Sequence, residues 1–362
     1  MMLFYLFLFI LGLKSVYDLF LLMQNDNLEI NGNRQAVTVL VCFRNEEGNL
    51  SNLVKALSLQ NYPKELMQFI LVDDGSTDNS YQLAEKELLE SVMSYQLLHL
   101  NLSDGNGKKA ALRYGLKFVQ TEWVLCTDAD CVPSENWASS MMERIGPNVG
   151  MVLGGVFYQK GGFLQQLLSA EQHALMLLTK GSALANHAVL ANGASTLFRK
   201  RLYPTVDNNL ATGDDIFLLE NIKKLNYQIV PQRFSKKNIV ITEAKNSLLE
   251  IIAQRQRWAS KNRKIRDKHM LFIGLLQISS HVSVCCLIVM SIYSQNLLYV
   301  IPVIFMWLIE YHGVQSLDKK LNLLPNKLAT GLMIMIYSWF LLALGLLSFR
   351  RKYRWKSRIW TS

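Results

Sequence analysis

The sequence has few charged residues and few cysteines for its length. Of its 362 residues 18% are charged and 50% are hydrophobic, which excludes a disordered or low-complexity chain. The five cysteines contain no C-x-x-C pair, so neither a disulfide framework nor a zinc ribbon is indicated. A Walker-type G-x-x-x-x-G-K spacing is also missing, so a P-loop is not supported. The length allows about two domains.

Long uncharged runs lie toward both ends of the chain. Residues 271–293 and 328–349 contain no Asp, Glu, Lys or Arg, and each exceeds the roughly 20 helical residues that cross a hydrocarbon layer. Residues 297–309 are uncharged but short, so they form either a tightly flanked span or a re-entrant piece. Both 271–293 and 328–349 are predicted to be transmembrane helices.

Residues 1–23 form a fourth candidate span. They are interrupted by Lys14 and Asp18, whose four-residue spacing places them on one helix face where they can pair. A cleaved signal peptide is the alternative, but a basic first segment and an A-x-A-like cleavage site are both missing. We therefore favour a transmembrane helix here.

The net charge of +10 is concentrated in two stretches. Residues 251–268 contain seven Lys or Arg against one Asp, and residues 350–362 contain six basic residues and no acid. Both stretches flank apolar segments, as cytoplasmic juxtamembrane anchors do, whereas a nucleic-acid surface would be a basic face of a globular domain. A lipid bilayer is therefore an expected partner and nucleic acid is not. If both basic stretches lie in the cytoplasm, the chain must cross the membrane an even number of times between them. Three candidate spans lie between them, so either 297–309 does not span or the tail departs from the rule that basic flanks stay in the cytoplasm.

The middle of the chain alternates strand-like and helix-like segments. Apolar runs at 37–43, 68–72, 95–100 and 123–126 are each followed by polar turn residues, and a helical pattern follows the first three. This order predicts a parallel sheet with helices on both faces. Ligands bind such sheets at the carboxyl ends of the strands, where this sequence has Asp73, Asp74, Asp128 and Asp130.

The segment Asp128-Ala129-Asp130 is a candidate metal site. Two carboxylates separated by one residue can offer hard oxygen ligands to Mg²⁺ or Mn²⁺ beside a pyrophosphate. Acidic residues are equally common in solvated turns, so the spacing alone does not decide between a metal site and a turn. Cys131 follows directly, but a soft thiolate is a poor ligand for these ions, so we expect it to pack in the core.

Three further motifs appear in order along the chain: Asn192-Gly193-Ala194, Thr212-Gly213-Asp214-Asp215 and Gln254-Arg255-Gln256-Arg257-Trp258. With these, residues 36–262 resemble the family 2 glycosyltransferases, which are inverting nucleotide-sugar enzymes and include cellulose, chitin, hyaluronan and poly-N-acetylglucosamine synthases and ceramide glucosyltransferase. The resemblance implies an α/β GT-A fold, Rossmann-like, with a mostly parallel sheet and covering helices, plus transmembrane helices at both ends. It also implies Mn²⁺ or Mg²⁺ as cofactor.

The resemblance assigns roles to residues at matching positions. Asp128 and Asp130 match the metal-binding D-x-D motif, with Asp130 as the direct ligand. Asp215, preceded by Asp214 where relatives have Glu, matches the general base. The nucleotide-binding positions are Arg44, Asn45, Glu46, Asp73, Asp74, Lys108 and Asp128. Gln254, Arg257 and Trp258 match the Q-x-x-R-W motif that binds donor and acceptor, although a Trp beside basic residues can also anchor a helix at a membrane interface.

The resemblance and the residue pattern together predict a multi-pass membrane enzyme. We expect a transmembrane helix at 1–23, a cytoplasmic GT-A domain at 34–268 that ends in an interfacial helix, two or three spans at 270–349, and a basic tail at 350–362. The expected location is a bacterial inner membrane.

The expected reaction is inverting, metal-dependent transfer from a UDP-hexose or UDP-N-acetylhexosamine to a lipid-linked acceptor or a growing glycan. One alternative is a processive synthase of the poly-N-acetylglucosamine type. The other is an inactive membrane scaffold, against which stand Asp130, Asp215 and the intact Q-x-x-R-W motif.

Overall fold

The structure is a computed structural model. It describes residues 2–26, 34–91, 93–101, 107–204, 214–262, 265–321, 323, 326–347, 352–355 and 358–361. The chain divides into two compact units. The helical unit comprises Met1–Asn25, Lys160–Leu190 and Ala244–Arg351, and the sheet unit comprises Asp26–Gln159, Ala191–Glu243 and Lys352–Ser362.

The described residues form helices in both units. In chain order these are α1 Met2–Leu22, α2 Leu50–Ser58, α3 Ser80–Leu89, α4 Lys108–Leu116, α5 Trp137–Met142, α6 Phe163–Leu184, α7 Asp214–Lys224, α8 Leu248–Asn262, α9 Lys268–Ser294, α10 Ile301–Leu321 and α11 Lys327–Leu347.

The described strands all lie in the sheet unit. They are β1 Val37–Phe43, β2 Met67–Asp73, β3 Tyr95–His99, β4 Trp123–Asp128, β5 Cys131–Pro133, β6 Val149–Leu153, β7 Val156–Tyr158, β8 Thr196–Arg199, β9 Gln228–Pro231, β10 Val240–Thr242, β11 Lys352–Trp355 and β12 Arg358–Thr361.

The main sheet has seven strands in the order β3-β2-β1-β4-β8-β6-β9. Strands β3, β2, β1 and β4 run parallel, β8 is antiparallel to both β4 and β6, and β9 is parallel to β6. The prediction of a mostly parallel sheet is therefore confirmed. A second sheet has the order β5-β10-β7, and β11 pairs with β12.

The core of the sheet unit lies under β1, β2 and β4. Strand β1 reads VTVLVCF, and six of its seven residues are buried. Such a continuous apolar run is typical of a parallel strand that is covered on both faces. Helix α4 packs closely here, since a Cβ on Gly115 would lie 2.6 Å from Leu40 Cδ1 and 2.9 Å from Val72 Cγ2.

The helical unit packs α1 against α9 and α10, and α6 against α10 and α11. An apolar cluster of Leu11, Val284, Leu287, Val303 and Met306 joins α1, α9 and α10.

Charged side chains accompany this apolar contact. The predicted Lys14–Asp18 pair is present, and Lys14 Nζ also lies 3.3 Å from Glu310 Oε1.

Among the described residues, four helices are long and apolar enough to cross a membrane: Met2–Leu22, Lys268–Ser294, Leu297–Leu317 and Lys327–Leu344. This set is consistent with a membrane protein. Residues 297–309 belong to a longer apolar stretch than their uncharged run suggested, because α10 continues through Glu310 to Leu321. Glu310 lies within this helix and pairs with Lys14 of α1.

Candidate functional site

Four neighbouring parallel strands end side by side at one edge of the main sheet. Phe43 pairs in register with Asp73, Asp73 with His99, and Cys42 with Asp128. The carboxyl ends of β3, β2, β1 and β4 therefore form a row. This is the edge at which parallel α/β sheets bind ligands, and the sequence-predicted acids lie on it.

The loop after β1 is bound to the loop after β2. Arg44 Nη1 donates to the carbonyl oxygens of Asp74 at 2.8 Å and Gly75 at 2.6 Å. The backbone N–H groups of Asn45 and Glu46 donate to Ser76 Oγ at 3.0 Å and Ser80 Oγ at 2.7 Å. The structure thus brings the three predicted residues 44–46 against the second loop, where these hydrogen bonds fix the shape of both loops.

Asp73 is buried, with 1% of its surface exposed. It accepts hydrogen bonds from Ser76 N at 3.0 Å, from Ser76 Oγ at 2.5 Å and from His99 Nδ1 at 2.8 Å. The His99 side chain is 51% exposed, so this contact joins a solvent-accessible imidazole to a buried carboxylate. Sequence reasoning missed His99, although the end of a third parallel strand at this edge was a usable signal.

Asp74 is also buried, and its Oδ1 accepts from the backbone N–H of Gly107 at 2.8 Å. Gly107 has φ of 88°, a conformation that glycine adopts without steric penalty. It precedes α4, so this hydrogen bond holds the start of α4 at the end of β2. Gly105 and Asn106, which precede Gly107, lie outside the described residues.

Lys108, the first residue of α4, forms an ion pair between its Nζ and Asp128 Oδ1. The side chains are 21% and 35% exposed, respectively. Asp130 is likewise partly exposed. The structure therefore brings Lys108 to the D-x-D motif and leaves both carboxylates of that motif open to solvent.

Cys131 is buried beside Asp130, with its Sγ 3.6 Å from Asp130 Oδ1. Burial and the nearby carboxylates of Asp130 and Asp128 raise the pKa of the Cys131 thiol well above its usual value. The thiol is therefore neutral near pH 7, and its predicted packing role is confirmed.

The carboxylates of Asp128 and Asp130 fit a hard divalent ion that takes its remaining ligands from the substrate and from water. Among the described residues there is no group of three or more His, Cys, Asp and Glu side chains that could hold a metal alone. Mg²⁺ usually binds one or two carboxylates together with phosphate oxygens and water. The two partly exposed carboxylates of Asp128 and Asp130 match that donor set.

Asp215 is the second residue of α7 and is partly exposed. Its Oδ1 accepts from the Ile216 backbone N–H at 2.8 Å. Lys109 Nζ lies 4.9 Å above the Phe217 ring, so the first turns of α4 and α7 are in contact. Asp214 begins α7, and its side chain lies outside the described residues, as do Thr212 and Gly213.

The Q-x-x-R-W motif lies on α8 in the helical unit. Arg255 occupies one of the two unspecified positions of the motif. Its Nη1 donates to Gln254 Oε1 at 3.3 Å, and its Cζ lies 4.2 Å from the centre of the Trp258 ring. Arg255 also forms an ion pair with Glu171 of α6. Glu171 was not singled out from the sequence because no spacing rule connects residues 84 positions apart.

Known proteins match this chain in sequence and in fold. Residues 38–205 match the family model described as "Glycosyl transferase family 2". A poly-beta-1,6-N-acetyl-D-glucosamine synthase of Staphylococcus epidermidis is 24% identical over 259 residues, which are 70% of this chain and 60% of that protein. The synthase of Staphylococcus aureus strain COL is 25% identical over 234 residues, 63% of this chain and 54% of the relative. The chain thus spans about 60% or less of these relatives' length.

The solved structure of the mannosyltransferase PcManGT from Pyrobaculum calidifontis, in complex with GDP-Man and Mn²⁺, has a TM-score of 0.65. It is 16% identical, and the match covers 96% of each chain. At this identity the likeness concerns the fold alone. Together with the family match it confirms the predicted GT-A fold class.

Proposed function

Since the chain is a glycosyltransferase of family 2, we propose that it transfers a sugar, with inversion and with Mg²⁺ or Mn²⁺, from a UDP-hexose or UDP-N-acetylhexosamine to a membrane-associated acceptor. One observation carries the proposal. Lys108, Asp128 and Asp130 meet at the ligand-binding edge of the sheet, with both carboxylates partly exposed. This arrangement suits a metal-bound diphosphate.

The proposed chemistry at this edge is stabilisation of the leaving group. Asp128 and Asp130 would hold the ion, which supplies positive charge to the diphosphate when bound. Lys108 adds a second cation beside Asp128. Charges that are already in place where negative charge develops lower the barrier without reorganisation.

Asp215 is the proposed general base. It removes the proton of the acceptor hydroxyl as the oxygen attacks C1 from the face opposite the diphosphate, which inverts the anomeric configuration in one step. Its partly exposed carboxylate at the start of α7 is accessible for this role. Asp214 precedes it and is the second acid of the proposed catalytic pair.

The loops after β1 and β2 are the proposed nucleotide site. Asp73 and Asp74 are the proposed residues for uracil and ribose, and Arg44, Asn45 and Glu46 hold the loop that carries them. Asp73 already accepts hydrogen bonds from Ser76 and His99, so its contribution includes the orientation of those two side chains.

The acceptor is proposed to be lipid-linked or a growing glycan, bound with the donor by Gln254, Arg257 and Trp258. The similarity to the staphylococcal poly-beta-1,6-N-acetyl-D-glucosamine synthases and the four apolar helices support this class of acceptor. The basic stretches at 251–268 and 350–362 support a catalytic domain on the cytoplasmic side of a bacterial inner membrane.

The test is release of nucleoside diphosphate by membranes that contain the protein. A panel of UDP-sugars and GDP-mannose is supplied with Mn²⁺ or Mg²⁺, and the parent chain is compared with Asp215→Asn. We expect release with one donor, abolished by chelation, and about 10³-fold slower in the variant. Glu220→Gln on the same helix is the matched control and should release at the parent rate.

Two results would count against the proposal. Asp215→Asn at the parent rate would remove Asp215 as the base. No release with any donor, while UDP still binds in a metal-dependent way, would favour the inactive scaffold. Release from GDP-mannose alone would replace the UDP donor and leave the transferase class intact.

A processive synthase is the second candidate, favoured by the names of the curated relatives. Product length distinguishes it from single transfer. Incubation with the active donor should give a ladder of oligosaccharides if elongation is processive, and one added sugar if it is not.

A further inference from the structure

Arg255 lies at the centre of a contact network within the helical unit. It is 8% exposed and lies in the middle of α8. Its guanidinium contacts Gln254 Oε1 at 3.3 Å and covers the Trp258 ring at 4.2 Å. Two of the three side chains that define the Q-x-x-R-W motif are therefore held by a residue at one of its unspecified positions.

The chemistry of these contacts requires an arginine. A planar guanidinium can stack on an indole and still donate hydrogen bonds at its edge. The stack attracts the cation to the ring and gains strength where water is excluded. Lysine would supply the charge without the plane and could not make both contacts in the same way.

Glu171 balances the buried charge of Arg255. Its carboxylate is 4% exposed and forms an ion pair with Arg255 Nη2. The other carboxylate oxygen, Oε1, accepts from Tyr337 Oη of α11 at 3.4 Å. A buried arginine without its carboxylate would be an uncompensated charge, so Glu171 fixes where the guanidinium can lie.

We infer that Glu171 and Arg255 are positioning residues that hold Gln254 and Trp258 in the orientation needed to bind a sugar. Glu171 fixes Arg255, Arg255 fixes the indole plane and the amide, and Tyr337 connects this arrangement to the last apolar helix. The role of the motif in sugar binding rests on the proposed function. The coupling of Glu171 and Arg255 to Trp258 does not.

The decisive variant is the double substitution Glu171→Leu with Arg255→Met. Replacing a buried ion pair by apolar side chains of similar size is often neutral for stability, so the detergent-solubilised protein should unfold at the parent temperature. We expect kcat to fall about 10²-fold through the misplaced motif, with a smaller change in the donor KM. A role confined to stability predicts parent turnover.

A second measurement follows Trp258 directly and requires no turnover. The fluorescence of Trp258 is obtained in each background by subtracting the spectrum of the same protein with Trp258→Phe. We expect acrylamide to quench this emission more strongly in the double variant than in the parent. Unchanged quenching together with unchanged kcat would overturn the inference.

Arg255→Lys keeps a cation beside Glu171 and serves if the double variant does not fold. We expect about tenfold lower kcat, because the stack is lost, and stronger quenching of Trp258. Glu250→Gln removes an exposed carboxylate from the same helix and should match the parent in both measurements. If the parent itself transfers no sugar, the proposed function fails, and the quenching comparison still decides the positioning role.

Discussion

Two pairs of aspartates lie at the ends of the strands on either side of β1, and they differ in exposure. Asp73 and Asp74 are 1% and 3% exposed, whereas Asp128 is 35% exposed at its side chain and Asp130 is partly exposed. The first pair accepts hydrogen bonds from Ser76, His99 and Gly107. A similar acidic pattern thus shapes the loops after one strand and leaves carboxylates partly exposed to solvent after the other.

The largest effect is expected from the exposed pair. Asp130→Asn should lower transfer about 10³-fold, because a neutral amide is a poor ligand for the ion that stabilises the leaving group. The thermal unfolding temperature should stay at the parent value, since the side chain is partly exposed. Initial rates over a Mn²⁺ series and a melting curve check both statements. Parent rates at limiting Mn²⁺ would contradict the assignment.

The buried pair should respond in the opposite way. Asp73→Asn weakens hydrogen bonds from Ser76 and His99 and should lower the free energy of unfolding by about 1–3 kcal/mol. Its effect on transfer should be smaller than that of Asp130→Asn. Denaturant unfolding in detergent measures the loss of unfolding free energy. Among the hydrogen bonds to Asp73, Ser76→Ala removes only the one from Ser76 Oγ, so it should show a smaller loss. Unchanged stability in both variants would erase the distinction between the pairs.

A loss no larger than this is expected at the partner of Asp74. Gly107→Ala places a side chain at φ of 88° and ψ of 163°, a backbone region essentially restricted to glycine, which costs roughly 1–3 kcal/mol. Gly48→Ala is the control, because a Cβ there meets nothing within 4 Å. Melting curves of the two variants should separate, with the Gly48 variant close to the parent. Equal curves would mean that the loop adjusts freely around residue 107.

The smallest effect concerns Cys131. Because burial and the neighbouring carboxylates raise the pKa of its thiol, iodoacetamide at pH 8 should leave it unmodified in the folded protein. Reactivity should appear only as the pH rises above the ordinary thiol value, or after unfolding. Peptide mass spectrometry with and without Mn²⁺ checks this. Labelling of Cys131 at pH 8 that Mn²⁺ suppresses would instead indicate a thiolate at the ion.

The sequence sufficed for the first half of the sheet unit because its signals are local. Strands β1, β2, β3 and β4 are apolar runs, each closed by polar turn residues, and their order dictates a row of carboxyl ends. The short strands β5, β7 and β10 carry too few residues to show a period. Their pairing across more than 80 positions, such as Val240 with Val156, is set by the fold.

Two further features that the sequence did not reveal depend on charge pairs between residues far apart in the chain. The uncharged run 297–309 is short because Glu310 follows it, yet the helix continues and Lys14 of α1 pairs with Glu310. Helix α6 contains Glu171, whose structural role depends on its ion pair with Arg255. Partners so far apart leave no trace in local spacing. The roles of Asp215 and of the predicted domain 34–268 remain predictions.

Each of the two units consists of three separate segments of the chain, which passes from one unit to the other five times. This has a consequence for anyone who wishes to isolate a catalytic fragment. A piece cut from Asp26 to Glu243 would retain every strand of the main sheet but would also carry α6, whose Glu171 would lose Arg255. Trimming the ends cannot remove that helix. Excising Lys160–Leu190 is the cut that follows the division of the chain into the two units.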